Sequence, residues 1–107
     1  RFEVKAGQPV KLEFINPDAT PHNLVIVKPG SGDEVGLAAT LMAADPEKAK
    51  SGQYIPKSDK ALFHTRMVPP ISGESLRFMA PNEPGEYPYI CSFPGHWTIM
   101  KGVMVVK

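Results

Sequence analysis

Near the C-terminal end of the sequence, the stretch CSFPGHWTIMKG places Cys91, His96 and Met100 within ten positions of one another. A thiolate, an imidazole and a thioether are donors that soft or borderline metal ions accept. Cys91 is the chain's only cysteine, so no internal disulfide accounts for it, and cysteine usage says nothing about compartment. Three donors from one loop are still one short of a closed four-coordinate site. A fourth stands in TPHNLVIV, where His22 sits beside a proline turn at the mouth of a strand-like run, 69 residues before Cys91. His64, inside ALFHTRM, is read as a strand or surface histidine without a role.

Two imidazoles and a thiolate in one plane, with a distant thioether on the axis, are the donors of an electron-transfer copper site. The mixture has a redox logic. Sulfur donors favour Cu(I), imidazole accepts both oxidation states, and a frame that holds the donors without the metal keeps rearrangement small when an electron moves. The bland readings stand beside it. Alone, Cys91 would be a small buried hydrophobe, and Met100 would be core filler, as Met67, Met79 and Met104 are expected to be.

The elements that must bring these donors together are short. Twelve prolines and nine glycines divide the chain into pieces that suit a sandwich of short strands. Strand-like alternation runs through FEVK (2–5), VKLEFI (10–15), NLVIVK (23–28), ALFHTRM (61–67), SLRFMA (75–80), EYPYIC (86–91) and KGVMVV (101–106). Turns such as Lys28-Pro29-Gly30 and Pro81-Asn82-Glu83-Pro84-Gly85 separate them. Cys91 ends one strand and Lys101 begins the next, so the donor loop joins two antiparallel strands. Tyr87 and Tyr89 share strand parity with Cys91 and are expected to face inward, with one hydroxyl closing a Greek-key corner.

One segment breaks the pattern. DEVGLAATLMAA, from Asp33 to Ala44, predicts a short helix with Asp33 as N-cap, Leu37, Leu41 and Met42 near helical spacing and Pro46 beyond its end. A further turn over 46–50 and an exposed loop over 51–60 complete an insertion between two strands.

Composition excludes several function classes. At 107 residues the chain suits one domain with a single core. A formal net charge of +1, without a run of five like charges, gives no reason to expect nucleic acid or an anionic membrane surface as partner. No secretory signal is found and no apolar run approaches twenty residues. An excised domain or a mature chain would read the same way.

PHN at 21–23 and PGEYPYICSFPGHWTIMKG at 84–102 resemble the two ligand motifs of a cupredoxin, a type 1 blue copper protein. The Cys-x4-His-x3-Met spacing is similar to the azurin version of the loop; plastocyanin's has only two residues between Cys and His. The resemblance implies an all-β Greek-key sandwich with a short helical insertion around residues 33–50, and one copper cycling between Cu(I) and Cu(II). It implies His22, Cys91 and His96 as strong ligands and Met100 as the weak axial one. It further implies that the Asn23 and Phe93 N–H groups donate to the Cys91 sulfur, and that the Asn23 side chain ties the two loops together. Pro21 departs from the Gly-His-Asn of azurins, so four ligands are expected rather than five.

Cupredoxins usually begin with a strand before the one that FEVKAG resembles. The resemblance therefore implies a chain short by about one strand, a module of a larger redox protein, with an exposed edge that invites pairing with another chain. It implies a one-electron carrier working in the periplasm or otherwise outside the cytoplasm, with no small-molecule substrate. Redox proteins would dock near His96, Pro94, Trp97 and Pro21. Trp97 has a second reading, packed against the insertion.

Three rivals remain open. As a module, the chain could feed electrons to an enzymatic partner domain. Alone it has only His64 left over, too little for the further copper that such enzymes require. A cysteine nucleophile activated by histidine would leave Met100 without purpose. Copper storage or delivery would need ligands exposed for exchange.

Overall fold

The described elements in chain order are strands β1 (Phe2–Val4), β2 (Pro9–Asn16) and β3 (Val25–Val27), helix α1 (Gly32–Met42), and strands β4 (Ala61–His64), β5 (Ser72–Met79), β6 (Gly85–Ile90) and β7 (Lys101–Val106). They belong to a computed structural model that describes residues 1–42, 44–45, 47, 55–56, 58–93 and 96–107. The strands form a mixed sheet in the order β1-β7-β6-β3-β4 and a second, two-stranded sheet of β2 and β5. Within the larger sheet only β1 and β7 run parallel. Among the described residues, no strand pairs with β2 on the side away from β5.

Alternation along the chain explains how the sheets face one another. In β2, Val10, Leu12 and Phe14 turn inward while Lys11, Glu13 and Ile15 point out. Leu12 and Phe14, with Leu76 and Phe78 of β5, pack onto Leu24, Ile26, Tyr87, Met104 and Val106 of the larger sheet. Burial of such aliphatic and aromatic side chains stabilises by about 1.5–3 kcal/mol each, so this layer is what holds the sandwich closed. The Tyr87 hydroxyl donates to the Glu83 carbonyl at 2.7 Å, closing the corner that leads into β6.

β3 is buried on both faces. Its other face, Val25 and Val27, joins Ile90 and Val35 of α1 in a second apolar cluster. The helix thus makes a third layer, above the strand that follows His22. A turn with Gly30 at φ 75° and a Ser31 N–H to Lys28 carbonyl bond of 3.0 Å delivers the chain into α1. Glycine is needed there because a Cβ disfavours that φ.

Several sequence expectations shift. The helix begins at Gly32, so Ser31 takes the position before it and Asp33 is not the N-cap. Asp33 and Glu34 instead lie in the first turn, where carboxylates suit the helix dipole. The helix ends at Met42 with bonds from the Ala44 and Asp45 N–H groups to Leu41 and Met42 carbonyls, tighter than α-helical ones. Its buried residues are Val35, Gly36 and Ala39, whereas Leu37 and Leu41 are exposed. Met79 is 57% exposed rather than core, because its β5 parity points it outward. The loop expected to be exposed over 51–60 has Pro56 buried, and Ile55 packs on the second cluster. Pro46 and most of the turn expected over 46–50 lie outside the described residues.

Candidate metal centre

His22 reaches the site from a backbone bridge, with its N–H on the Val68 carbonyl at 3.1 Å and the Val68 N–H on its own carbonyl at 2.7 Å. Three residues further, at Val25, the chain enters the doubly buried β3. Leu24 is held to Thr65 by both backbone and side-chain bonds. The other donors come from the connection between β6 and β7. Cys91 follows the last β6 residue and its N–H donates to the Met100 carbonyl at 3.0 Å, so the loop closes on itself. Within it, the His96 N–H bonds to the Phe93 carbonyl at 3.0 Å and the Met100 N–H to the His96 carbonyl at 2.8 Å.

These two segments place His22, Cys91 and His96 with donor atoms all within 4.8 Å of one another. The Cys91 Sγ lies 3.7 Å from His22 Nδ1 and 3.5 Å from His96 Nδ1. The fit to a metal can be tested on those separations. Bonds of about 2.3 Å to sulfur and about 2.0 Å to nitrogen, as zinc makes to the same donors, put S and N about 3.5 Å apart at a tetrahedral angle and about 3.7 Å apart at a trigonal one. The observed distances match, and soft sulfur with two imidazoles is a donor set copper favours. Met100 is half-buried and lines a cavity of about 180 Å³ together with Cys91, Asn23 and Phe14.

A double tie joins the two segments. Asn23 Nδ2 donates to Ser92 Oγ and the Ser92 N–H donates to Asn23 Oδ1, both at 2.8 Å and both buried. These bonds bridge 69 positions and set His22 against Cys91 without using any of the donor atoms. Burial pushes the Cys91 thiol up, while the backbone N–H groups of Asn23 and Phe93 pull it the other way. Burial also pushes the His96 imidazole down, helped by nearby His22 and opposed by the Asp18 carboxylate.

Relatives carry the assignment further. The sequence profile of the copper-binding proteins of the plastocyanin/azurin family matches residues 1–107. The chain belongs to that family. Over 97% of its length it is 34% identical to auracyanin-A of Chloroflexus aurantiacus, and over 80% it is 35% identical to an azurin of Achromobacter denitrificans. It spans 62% and 56% of those two proteins respectively. The solved structure of a dithionite-reduced auracyanin from Roseiflexus castenholzii superposes with a TM-score of 0.80 at 32% identity, covering 98% of this chain and 83% of that one. The fold is therefore a cupredoxin β-sandwich, and the family's metal is copper.

Other residues of this cupredoxin's site had little or no sequence signal. Ser92 completes the Asn23 tie. Asp18 Oδ2 lies 2.8 Å from His22 Nε2, and the only hint in the sequence is their spacing of four. Trp97 packs over Gly36 of α1 so closely that a Cβ there would overlap the indole, and its Nε1–H donates to Thr40 Oγ1 at 2.9 Å. Its packed reading is therefore the observed one. His64 is exposed, and its ring Nδ1 lies 3.0 Å from the Thr65 carbonyl. Pro21 is half-buried, and Pro94 lies outside the described residues.

Proposed function

We propose that the chain is a one-electron carrier with a mononuclear type 1 copper centre, its strong ligands His22 Nδ1, Cys91 Sγ and His96 Nδ1 and its weak axial ligand Met100. The observation that carries this reading is the set of Cys91 to histidine separations of 3.5 and 3.7 Å, held by bonds that need no metal. When bound, copper supplies the Cu(II)/Cu(I) couple.

The chain's own residues supply the rest. The N–H groups of Asn23 and Phe93 withdraw charge from the Cys91 sulfur and favour the reduced state. The Asn23–Ser92 tie resists any spreading of the donors on electron transfer, which keeps the barrier low. His96, half-buried at the end of the sandwich, gives the route for electrons in and out. Docking beside His96, Trp97, Pro21 and Pro94 suits redox proteins that must separate quickly, since such complexes are small. With a net charge of +1, exchange with such a partner is expected to depend little on salt, and a steep dependence would contradict this docking mode.

The resemblance to type 1 copper proteins supports a location outside the cytoplasm. Among the described residues no helix is long and apolar enough to cross a membrane. Recovery with cytoplasmic markers on cell fractionation would contradict that location. The functional test is copper loading. One copper per chain, an intense band near ~600 nm and a reversible one-electron titration are expected, and Cys91→Ser should abolish the band. Two coppers per chain, or rapid loss of copper to a mild chelator, would contradict the carrier reading.

A further inference from the structure

We propose that Asp18 is a positioning residue for His22 that fixes which ring nitrogen faces the metal and biases the centre toward its oxidised state. The inference rests on the copper reading above but not on any bound ion.

The two nitrogens of His22 face different groups. Nε2 lies 2.8 Å from Asp18 Oδ2, and Nδ1 faces Cys91 Sγ at 3.7 Å. An ionised carboxylate only accepts hydrogen bonds, so in the neutral imidazole the proton belongs on Nε2 and the Nδ1 lone pair points to the sulfur. That is the form a metal ligand requires. His22 is buried, and the Asp18 carboxylate is the acceptor that faces its Nε2.

Asp18 is held in place by the backbone around it. Asn16, at the end of β2 and 1% exposed, accepts the Asp18 N–H at Oδ1 over 2.9 Å. Its Nδ2 faces the carbonyls of Thr20, Val68 and Pro69 at 2.9, 3.1 and 3.2 Å. One buried amide thus organises the loop before His22 and the segment that bridges to it. The Asp18 carbonyl also accepts the N–H of Ile71 at 3.3 Å, and Ile71 has φ 52°, a conformation that a β-branched residue resists. Backbone strain of that kind persists only where the surroundings enforce it.

The electrostatic direction follows. Oxidation adds one positive charge at the site, and a carboxylate hydrogen-bonded to a ligand ring stabilises that charge. Asp18 therefore opposes the Asn23 and Phe93 N–H groups, which favour the reduced state. Its side chain is 61% exposed, so water and salt screen much of the effect. The bias should be about tenfold in the Cu(II)/Cu(I) equilibrium, or ~59 mV for one electron.

Two substitutions separate charge from geometry. Asp18→Asn keeps an acceptor and removes the charge; Asp18→Ala removes both. Nitrogen-15 NMR of the metal-free chain at about pH 8.5, above the ordinary histidine range, should find the His22 proton on Nε2 in the parent and in Asp18→Asn, and a mixture of tautomers in Asp18→Ala. Copper-loaded Asp18→Asn should favour Cu(I) about tenfold more than the parent, with Asp18→Glu restoring part of the difference. A parent tautomer with the proton on Nδ1, or unchanged redox equilibria in Asp18→Asn, would overturn the proposal. If the parent gave no ~600 nm band the carrier reading would fail separately, and the tautomer result would still decide the positioning role.

Discussion

The two histidines of the site are held in opposite ways. His22 is fixed from far along the chain: its backbone bridges to Val68, its ring meets Asp18, and its neighbour Asn23 is tied to Ser92. His96 is held locally, by a turn whose bonds among the described residues stay within 91–100, and from outside by Trp97 resting on α1. The first arrangement makes a buried donor tied to several segments and the second a half-buried one. The carrier proposed above would use both, one end to hold its geometry and the other to meet a partner.

Substitutions on each side can break this contrast. Asn23→Ala should have the largest effect. It leaves the buried Ser92 N–H and hydroxyl without their partners, lowering stability by about 2–4 kcal/mol in denaturant titration, and it should also quicken copper release. Gly36→Ala acts on the other side by forcing the indole off α1. Overpacking of this kind costs about 1–3 kcal/mol, and the ~600 nm band should shift while the His22 tautomer in metal-free protein stays unchanged. If Gly36→Ala disturbed His22 as much as His96, the separation of the two supports would be wrong.

The corner beneath both should respond to pH. Burial, with the nearby Glu83 charge, holds the Tyr87 phenol above its ordinary value of 10.0. The folded chain keeps this proton longer than the unfolded chain does, so the contribution is fully present below the unfolded pKa. It is lost as pH rises through the folded one. Thermal unfolding should record a loss above about pH 10 that Tyr87→Phe removes; an identical loss in that variant would contradict the assignment. Thr40→Val should have the smallest effect, about 0.5–1 kcal/mol, because it removes only the indole bond and the hydroxyl's own bond to the Gly36 carbonyl, both near the surface. Its ~600 nm band should shift less than that of Gly36→Ala.

What could be read from the sequence follows the same division. Strands showed themselves by alternation, as in VKLEFI, and the donor loop by residue types that have few other uses together. β3 was harder, because burial on both faces by Val25, Ile26 and Val27 gives a continuous apolar run without alternation. Its observed length is shorter than NLVIVK suggested, since Leu24 turns to bond Thr65. Leu37 and Leu41 suggested a buried helix stripe, yet the small residues Gly36 and Ala39 face inward and let α1 and Trp97 approach closely. Asp18 and Asn16 had no periodic signal at all. Asn16 ends β2 and Asp18 follows in the bend, and their importance depends on a buried amide meeting carbonyls more than fifty positions away.

If the frame alone holds the site together, the donors are in position before the ion arrives. Crystal structures of the chain with and without copper decide this. The Cys91 Sγ to His22 Nδ1 and His96 Nδ1 distances should remain near 3.7 and 3.5 Å in both states. A metal-free structure with His22 and Cys91 drawn apart beyond the reach of a single ion would contradict it.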